Sequence, residues 1–580
     1  MKAMKGMKSM RAGLTKAFSE KVYPNPADPK VAAKLATGTT EFKEKYLGRD
    51  FGAILSGCRL TPIPFRRTNH ETRDPNDPSI LVGLFAKYPS DTLVGLVALH
   101  TPIIRQAGRK FFLTTPWQKR VKLLKMISKV AQERFWLLCA AKMYETGQSV
   151  AEAIGETDEE VDFPKANAMY LEELNRDLLI STPKFSGDIN GKRFVPHGVF
   201  LNICPFNFPG AIPMDMATKA LAMGNAFIEK SSPKSSLCGY LVWETIKIAF
   251  ERMGIEWRGV VNYAPGDADV VNAFLAHPEI AGMSFTGSSA VLDAIKKNHG
   301  DLLRYGWVAR AKLVYGSAET SGVNTFIVCA DADPVHAAQE YVKAFIGRSG
   351  QKCSSARIGF VHDSVYHSFV EATIERLKQV RYGDVKKGAD LGAMITAFDR
   401  DKLVGQIAEL EEERLLTLLY QKPITQGPGH DFPPTALLSA YGLNDDEKRK
   451  IMNTEFFGPA STIVKFGNMD EVEQMCAMTD FALTGSVFTR DVEVLRRVLN
   501  FIPAGNVYWN RKCTGALVET ECFGGLRSAS SPVGIKGKNA LALFGSQVTF
   551  SGFYPKNATS VERRALQKLL EAEGINLSKK

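Results

Sequence analysis

An α/β fold built on two mostly parallel sheets is predicted for this chain of 580 residues. Strand-like and helical apolar patterns alternate from residue 199 to residue 298, and they alternate again from residue 324 to about residue 507. Such alternation indicates βαβ units, whose successive strands run parallel. With 45% hydrophobic and 23% charged residues, the composition is that of an average globular protein. No apolar window approaches the roughly 18 residues that a membrane-spanning helix requires.

The first alternating region follows an N-terminal part that is rich in turns and then in helical patterns. Residues 20–110 contain many Pro, Gly and Asn-Asp turns, whereas apolar residues between Trp117 and Cys139 recur at helical spacing. From residue 199 onwards strand-like runs alternate with helical ones. The strand-like runs are Val199–Cys204, Ala226–Glu229, Val260–Tyr263 and Gly282–Phe285, and the helical runs are Ile212–Met223, Leu237–Met253, Ala268–Ala276 and Ser289–Asn298.

The second alternating region starts near Leu313–Gly322. It is interrupted by a charged segment, which predicts a helix over Asp401–Leu419, and by a loop rich in Pro and Gly at residues 423–434. Ahead of the first region, Gly187–Gly191 is a polar turn between two short strand-like runs, and this pattern predicts a β-hairpin.

The net charge of +11 is concentrated at the N-terminus. Residues 1–16 contain no acidic residue, and the net charge without them is 11 − 5 = +6, because the segment carries Lys2, Lys5, Lys8, Arg11 and Lys16. On a helical wheel the basic residues face away from Met4, Met7, Met10, Leu14 and Phe18. This amphipathic pattern predicts a mitochondrial presequence, and the alternative is a basic tail on a cytoplasmic protein. Neither reading predicts a nucleic-acid or membrane partner.

Nine cysteines are scattered singly along the chain, without a CxxC pair, and no HExxH motif occurs. We therefore expect no metal site and a reducing compartment. Cys353 differs from the others because Gly350 and polar residues surround it between a helical run and a strand-like run. Such a junction exposes a thiol to substrate. Asn207 and Glu319 are further candidates. Asn207 is flanked on each side by a phenylalanine and a proline, and Glu319 lies among small residues. Either would be an ordinary loop residue if it stood alone.

Together these segments resemble the aldehyde dehydrogenase family. The resemblance extends over about residues 40–550, and it rests on an ordered set of motifs: Pro205–Pro209, Gly224–Lys230, Phe285–Ser288, Glu319–Asn324, Gly350–Ser354, Glu455–Pro459 and Phe523–Gly525. It implies that Cys353 is the nucleophile that forms a thiohemiacetal and then a thioester with the aldehyde. It also implies that Asn207 and the Cys353 backbone N–H form the oxyanion hole, and that Glu319 is the general base.

The resemblance implies NAD as the cofactor, with NADP not excluded. Lys230 is expected to hold the adenosine ribose, Gly287 and Ser288 the pyrophosphate, and Glu455 the nicotinamide ribose beside Phe457. Many NAD-preferring relatives carry an acid three positions after the lysine, where this chain has Pro233. The sequence therefore leaves the choice between NAD and NADP open.

Within the family, the motifs around Cys353 and residues 510–518 resemble the branch that oxidises L-glutamate γ-semialdehyde to glutamate. In that reading Gly515, Ala516 and Ser354 form a nest for the substrate carboxylate, and Phe208 and Phe523 sandwich its aliphatic stem. The alternatives are another semialdehyde, an aromatic aldehyde, or a catalytically silent structural relative.

The resemblance also implies a domain organisation with two Rossmann-like domains and a small β oligomerisation flap, hence a homodimer or a higher homo-oligomer. The expected segments are a basic presequence or tail at 1–19, an NAD(P)-binding domain at 20–177 and 199–315 with a return segment at about 508–539, a catalytic domain at 316–507, and a flap with the C-terminal tail at 178–198 and 540–580.

Overall fold

A computed structural model describes residues 24–60, 68–176, 188–299, 307–308, 312–313, 315–424, 427–530, 536–553, 557–572 and 576–577. The basic segment of residues 1–19 lies outside these ranges, so the presequence stays a prediction. In the part of the chain described, no helix combines the length and apolarity needed to cross a membrane.

The N-terminal half consists of a small sheet, a set of long helices and the first large sheet. Numbered in chain order, its helices are α1 (Pro29–Lys45), α2 (Ser90–Thr114), α3 (Trp117–Glu133), α4 (Phe135–Thr146), α5 (Val150–Arg176), α6 (Ala211–Met223), α7 (Ser236–Arg252), α8 (Ala268–Ala276) and α9 (Ser289–His299). Its strands are β1 (Arg49–Phe51), β2 (Ala53–Leu55), β3 (Cys58–Leu60), β4 (Thr68–Asp74), β5 (Asp77–Lys87), β6 (Asp188–Pro196), β7 (Val199–Ile203), β8 (Ala226–Lys230), β9 (Val261–Tyr263), β10 (Ile280–Thr286), β11 (Trp307–Val308), β12 (Lys312–Leu313) and β13 (Tyr315–Glu319).

The C-terminal half contains the second large sheet and the segments that return to the first half. Its helices are α10 (Pro334–Ile346), α11 (Tyr366–Gln379), α12 (Ala397–Glu412), α13 (Asp445–Asn453), α14 (Met469–Ala477), α15 (Val492–Phe501), α16 (Lys538–Leu541) and α17 (Ser560–Ala572). Its strands are β14 (Asn324–Val328), β15 (Ala356–His362), β16 (Leu416–Gln421), β17 (Thr435–Ser439), β18 (Ala460–Phe466), β19 (Phe481–Ala482), β20 (Thr484–Phe488), β21 (Asn506–Trp509), β22 (Leu526–Arg527), β23 (Gly545–Phe553) and β24 (Asn576–Leu577).

Both large sheets have seven strands among the described residues, and most of these strands run parallel. The first has the order β13-β10-β7-β8-β9-β2-β3, with β2 and β3 antiparallel to their neighbours. The second has the order β16-β17-β18-β15-β14-β20-β21, with β16 antiparallel to β17. The central strands β7, β8 and β14 are buried at every residue, as expected for parallel strands that helices cover on both faces. The predicted α/β class with parallel sheets is confirmed.

Two local expectations were wrong. The charged helix predicted over Asp401–Leu419 ends at Glu412, and Leu416–Gln421 instead forms β16. Arg414 adopts a positive φ of 60° at this junction, and pairing with β17 then holds the following residues extended. The local periodicity of the sequence does not indicate that β17 pairs with this segment.

The polar turn expected at Gly187–Gly191 was also wrong, because residues 188–191 are the first part of β6. This strand pairs in antiparallel fashion with β23 over nine residue pairs and with β24 over two. Residues 178–187, which would supply the first strand of the predicted hairpin, lie outside the described ranges. The domain boundaries inferred from the family resemblance likewise stay predictions.

Candidate active site

The candidate residues from the first sheet lie at one edge of that sheet. Lys230 is the last residue of β8, Glu319 is the last residue of β13, and Gly287 comes directly after β10. Asn207 follows β7 by a short loop. Because the carboxyl ends of neighbouring parallel strands meet at the same edge, the topology brings these residues together, as in other open α/β sheets.

Cys353 reaches this edge from the second sheet, on a loop with constrained backbone. The three residues Arg348, Ser349 and Gly350 have positive φ angles of 56°, 53° and 66°. A Cβ atom on Gly350 would lie 1.9 Å from the Gly458 carbonyl oxygen, so this position requires glycine. Two left-handed non-glycine residues in a row store strain, and such strain is typical of functional loops.

A buried arginine holds the same loop from beneath. The Arg357 guanidinium donates to the carbonyl oxygens of Gly350 at 2.5 Å, Lys352 at 3.1 Å and Gly458 at 3.0 Å. Asn324 donates to the carbonyl oxygen of Cys353 itself at 2.7 Å. These bonds satisfy loop carbonyls that water would otherwise solvate, and they fix the position of the thiol.

The Cys353 side chain is partly exposed to a cleft, and it packs against a buried cluster of Leu483, Phe523 and Ala529. Burial and the nearby Glu319 charge raise the pKa of the thiol, and Lys536 opposes that rise. In this state the thiol is protonated, and its nucleophilic attack requires a base.

Asn207 connects the two sheets at the site. Its side chain is buried, and Nδ2 donates to the Gln351 carbonyl oxygen at 2.9 Å, two residues before Cys353. An amide nitrogen carries two hydrogens, so this bond orients the group and leaves a second hydrogen to donate. The arrangement can stabilise negative charge on an oxygen bound at Cys353.

Glu319 is a buried carboxyl group with unused hydrogen-bonding capacity. It is 1% exposed, and Oε1 has no hydrogen-bond partner among the described residues. Burial raises its pKa from 4.5 to about 7, while the charges of Lys536 and Lys219 act in the opposite direction. A carboxyl group that titrates near neutral pH is suited to accept a proton from water or a thiol.

The five predicted cofactor residues, Lys230, Gly287, Ser288, Glu455 and Phe457, line one cleft of about 400 Å³, with Cys353 also on its wall. This volume lies in the roughly 300–1,000 Å³ range of small-molecule sites. Three charged residues that line this cleft carry no motif and were missed by sequence reasoning: Lys234, Asp399 and Lys402. The Lys234 ammonium pairs with the Asp399 carboxylate at 2.7 Å, and this pair connects the loop after β8 to α12.

The polar groups of the cleft are suited to binding a dinucleotide. Burial lowers the pKa of Lys230 to about 8, and its ammonium can donate to ribose hydroxyls. The buried hydroxyl of Thr286 lines the cleft and has no partner among the described residues. Gly287 and Ser288 immediately precede α9, whose N-terminus attracts anions such as a pyrophosphate. Glu455 accepts hydrogen bonds from the Gly322 N–H at 2.9 Å and from the Ser321 side chain, and these bonds orient its carboxylate in the cleft.

A second, narrower cavity of about 20 Å³ is lined by Ala516, Phe523, Lys536 and several carboxylates. Phe523 belongs to the apolar cluster against which Cys353 and Ala516 both pack, so this cavity lies near the thiol. Gly515 has a φ of 81°, which glycine adopts without strain. Lys536 was missed by sequence reasoning, because a single lysine in a loop carries no pattern.

Two predicted substrate residues are less directly placed. The Ser354 side chain is buried, and its backbone carbonyl accepts from the Thr484 hydroxyl at 3.2 Å. Phe208 packs with Cys204, Ile212 and Met216, and the Arg348 guanidinium lies 4.9 Å from the centroid of its ring. The stem sandwich between Phe208 and Phe523 therefore stays a prediction.

Comparison with known proteins agrees with this geometry. Residues 103–546 match the model of the aldehyde dehydrogenase family. The chain is 27% identical over 516 residues to 1-pyrroline-5-carboxylate dehydrogenase 1 of Halalkalibacterium halodurans, covering 88% of this chain and 94% of the relative. It is also 27% identical over 517 residues to 1-pyrroline-5-carboxylate dehydrogenase 2 of Bacillus subtilis, with the same coverage.

Solved structures show the same fold. A Thermus 1-pyrroline-5-carboxylate dehydrogenase with bound NAD superposes with a TM-score of 0.82 at 25% identity, covering 92% of this chain and 98% of that one. Proline utilization A from Bdellovibrio bacteriovorus superposes with a TM-score of 0.81 at 25% identity, covering 93% of this chain and 54% of that one. With three quarters of its length matched by the family model, the chain belongs to the aldehyde dehydrogenase family.

Proposed function

We propose that this enzyme oxidises L-glutamate γ-semialdehyde, the open form of Δ1-pyrroline-5-carboxylate, to L-glutamate with NAD. The observation that carries the proposal is the position of Cys353 on the wall of the large cleft, packed against a cluster whose Phe523 lines a second, narrow cavity. The cleft has the volume of a small-molecule site and is lined by all five predicted cofactor residues, whereas the narrow cavity is lined with charged side chains. The names of the relatives at 27% identity support the same substrate.

In this mechanism the protein supplies the nucleophile, the oxyanion hole and the base. Cys353 Sγ attacks the aldehyde carbon after its proton passes to a base, for which Glu319 is available. The free hydrogen of the Asn207 amide and the Cys353 N–H stabilise the oxyanion of the thiohemiacetal. NAD, when bound in the cleft, supplies the hydride acceptor for the oxidation. Glu319 then releases the thiol proton to solvent and takes a proton from the water that attacks the thioester carbonyl, the C–S bond to Cys353 breaks, and L-glutamate leaves.

NAD is the proposed cofactor, and the Thermus relative with bound NAD supports it. The absence of an acid at Pro233 removes one repulsive charge against the 2′-phosphate of NADP. Lys234, which lies next to that proline, is already paired with Asp399 and is therefore less available to attract the phosphate. We expect kcat/KM for NAD to exceed that for NADP. The reverse order in steady-state kinetics would contradict this choice.

Charge in the narrow cavity favours a charged semialdehyde over an aromatic aldehyde. Asp215, Glu519, Glu521 and Lys536 all line it, and burying an uncharged aromatic ring against these groups would desolvate them without compensation.

The test of the proposal is an absorbance assay of NADH formation on three substrates: L-glutamate γ-semialdehyde, pentanal and benzaldehyde. We expect the highest kcat/KM with glutamate semialdehyde. Cys353→Ser serves as the matched inactive control. A preference for pentanal or benzaldehyde would refute the proposed substrate while leaving the family assignment intact, and a lack of activity on every aldehyde would favour a silent relative.

Import into the mitochondrial matrix is the proposed localisation, and the basic, acid-free segment of residues 1–16 supports it. The relatives named above are bacterial proteins and give no support on this point. Residues 1–19 fused to a fluorescent protein should accumulate in mitochondria. A diffuse cytoplasmic signal would contradict the presequence.

A further inference from the structure

We propose that Lys536 is the cation that binds the α-carboxylate of the substrate and selects carboxylated aldehydes over uncharged ones. The inference rests on the proposed function and adds a specificity-determining side chain to it. In the family resemblance the carboxylate was expected to meet backbone N–H groups of Gly515 and Ala516 and the Ser354 hydroxyl. A full positive charge in the same cavity adds an electrostatic basis for selecting carboxylated aldehydes over uncharged ones.

The position of Lys536 carries the first part of the argument. It lines the narrow cavity together with Ala516 and Phe523, and Phe523 belongs to the apolar cluster against which Cys353 packs. Its ammonium lies 4.8 Å from the ring centroid of Phe163 and 5.0 Å from that of Phe523. The two rings hold the cation at the wall of the cavity through which we expect the substrate to approach the thiol.

Lys536 also has no ion-pair partner in the described part of the chain. Among the described residues no carboxylate oxygen lies within the 4.0 Å of an ion pair from its ammonium. Two of the three carboxylates that line the cavity have partners of their own. Asp215 pairs with Lys219 at 2.5 Å, and Glu521 accepts from the Leu517 N–H at 2.5 Å.

An ammonium held by two aromatic rings keeps most of its binding capacity. Cation–π contacts are weak compared with a charge-assisted hydrogen bond, and they leave the three N–H donors free. A lysine with no carboxylate partner in a narrow cavity therefore favours an anionic ligand. The carboxylate of an amino-acid semialdehyde satisfies this requirement, whereas an uncharged aldehyde leaves the cation without a counter-ion.

A different role for Lys536 makes a different prediction. Its charge lowers the pKa of both Cys353 and Glu319 relative to burial alone. If that were its whole contribution, its removal would slow every aldehyde equally and shift the pH profile toward alkaline values. Selection between carboxylated and uncharged substrates separates the two roles.

The experiment compares Lys536→Gln and Lys536→Arg with wild type on glutamate semialdehyde, succinate semialdehyde and pentanal. Lys536→Gln should lower kcat/KM for both carboxylated substrates by about tenfold to a hundredfold, mainly through KM, as expected for loss of a charge-assisted hydrogen bond. The pentanal value should change by less than about threefold, and Lys536→Arg should recover most of the loss, because it restores the charge. The matched control is Lys538→Gln, which removes a nearby lysine that pairs with Glu173 at 3.7 Å.

Binding of the product provides a readout that does not depend on turnover. Calorimetry with L-glutamate should give a Kd about tenfold weaker or more for Lys536→Gln, and an unchanged Kd for Lys538→Gln. An equal fall on all three aldehydes, or unchanged values on the carboxylated ones, would overturn the inference. Wild-type enzyme that prefers succinate semialdehyde and keeps the Lys536 dependence would refute the proposed substrate alone.

Discussion

Replacing Glu319 with glutamine removes an ionisable group from surroundings that disfavour its charge. The carboxyl group is 1% exposed, and one of its oxygens has no hydrogen-bond partner among the described residues. Burial raises its pKa from 4.5 to about 7, so the folded protein holds the proton more tightly than the unfolded chain does. Glutamine keeps the shape of the side chain and cannot ionise. The variant should therefore lose activity and gain stability at alkaline pH.

The size of this stability change follows from the pKa of the Glu319 carboxyl group in the unfolded chain and in the folded protein. Because the folded pKa is the higher one, this carboxyl contributes stability that is fully present below pH 4.5 and is lost as pH rises through about 7. The full loss is about 3 kcal/mol, at about 1.4 kcal/mol for each tenfold change in proton affinity. The glutamine variant has no such loss. Its free energy of unfolding relative to wild type should rise by about 2–3 kcal/mol between about pH 5 and about pH 8.

Urea unfolding of both proteins at the two pH values measures this difference, and the subtraction cancels the titration of all other groups. Glu371→Gln, at an exposed position on α11, is the control and should leave the difference near zero. A variant whose stability relative to wild type stays constant, or falls, as pH rises would refute the argument that burial holds this carboxyl near neutral pKa. In the same variant the absorbance assay should detect a loss of turnover, because attack by Cys353 and hydrolysis of the thioester both lose the base proposed for them.

Four further outcomes are expected. Cys353→Ser should reduce kcat by several orders of magnitude while NAD binding, followed by fluorescence, is retained. Asn207→Ala should lower kcat by about a hundredfold to a thousandfold in the same absorbance assay, since one oxyanion donor is removed. Glu156→Ala leaves the buried Arg348 guanidinium without its partner at 2.8 Å, and calorimetric unfolding should detect a loss of about 3–5 kcal/mol. The exposed apolar residues of β23 should mediate a homodimer or larger assembly, so light scattering that detects a stable monomer at micromolar concentration would contradict the oligomerisation flap.

Alternating apolar patterns were enough to predict the two parallel sheets, because the period of a buried strand or helix depends on nearby residues. The strand predicted at Val199–Cys204 is β7 (Val199–Ile203), and the helix predicted at Ala268–Ala276 is α8 with the same limits. The candidate catalytic residues could be predicted from the sequence for a related reason. Cys353, Glu319 and Asn207 lie in short motifs whose order along the chain resembles one family.

Long-range partners could be identified only from the tertiary structure. β6 finds its partner in β23, more than 340 residues later, and Asp399 reaches the cofactor cleft from α12 to pair with Lys234. Lys536 meets Phe163 across a similar separation. Such contacts depend on the path of the whole chain, and a single lysine, aspartate or short strand carries no local pattern that reports its partner. The same limit applies to the pKa of Glu319, because burial is a property of the assembled sheets and not of the residues beside it in sequence.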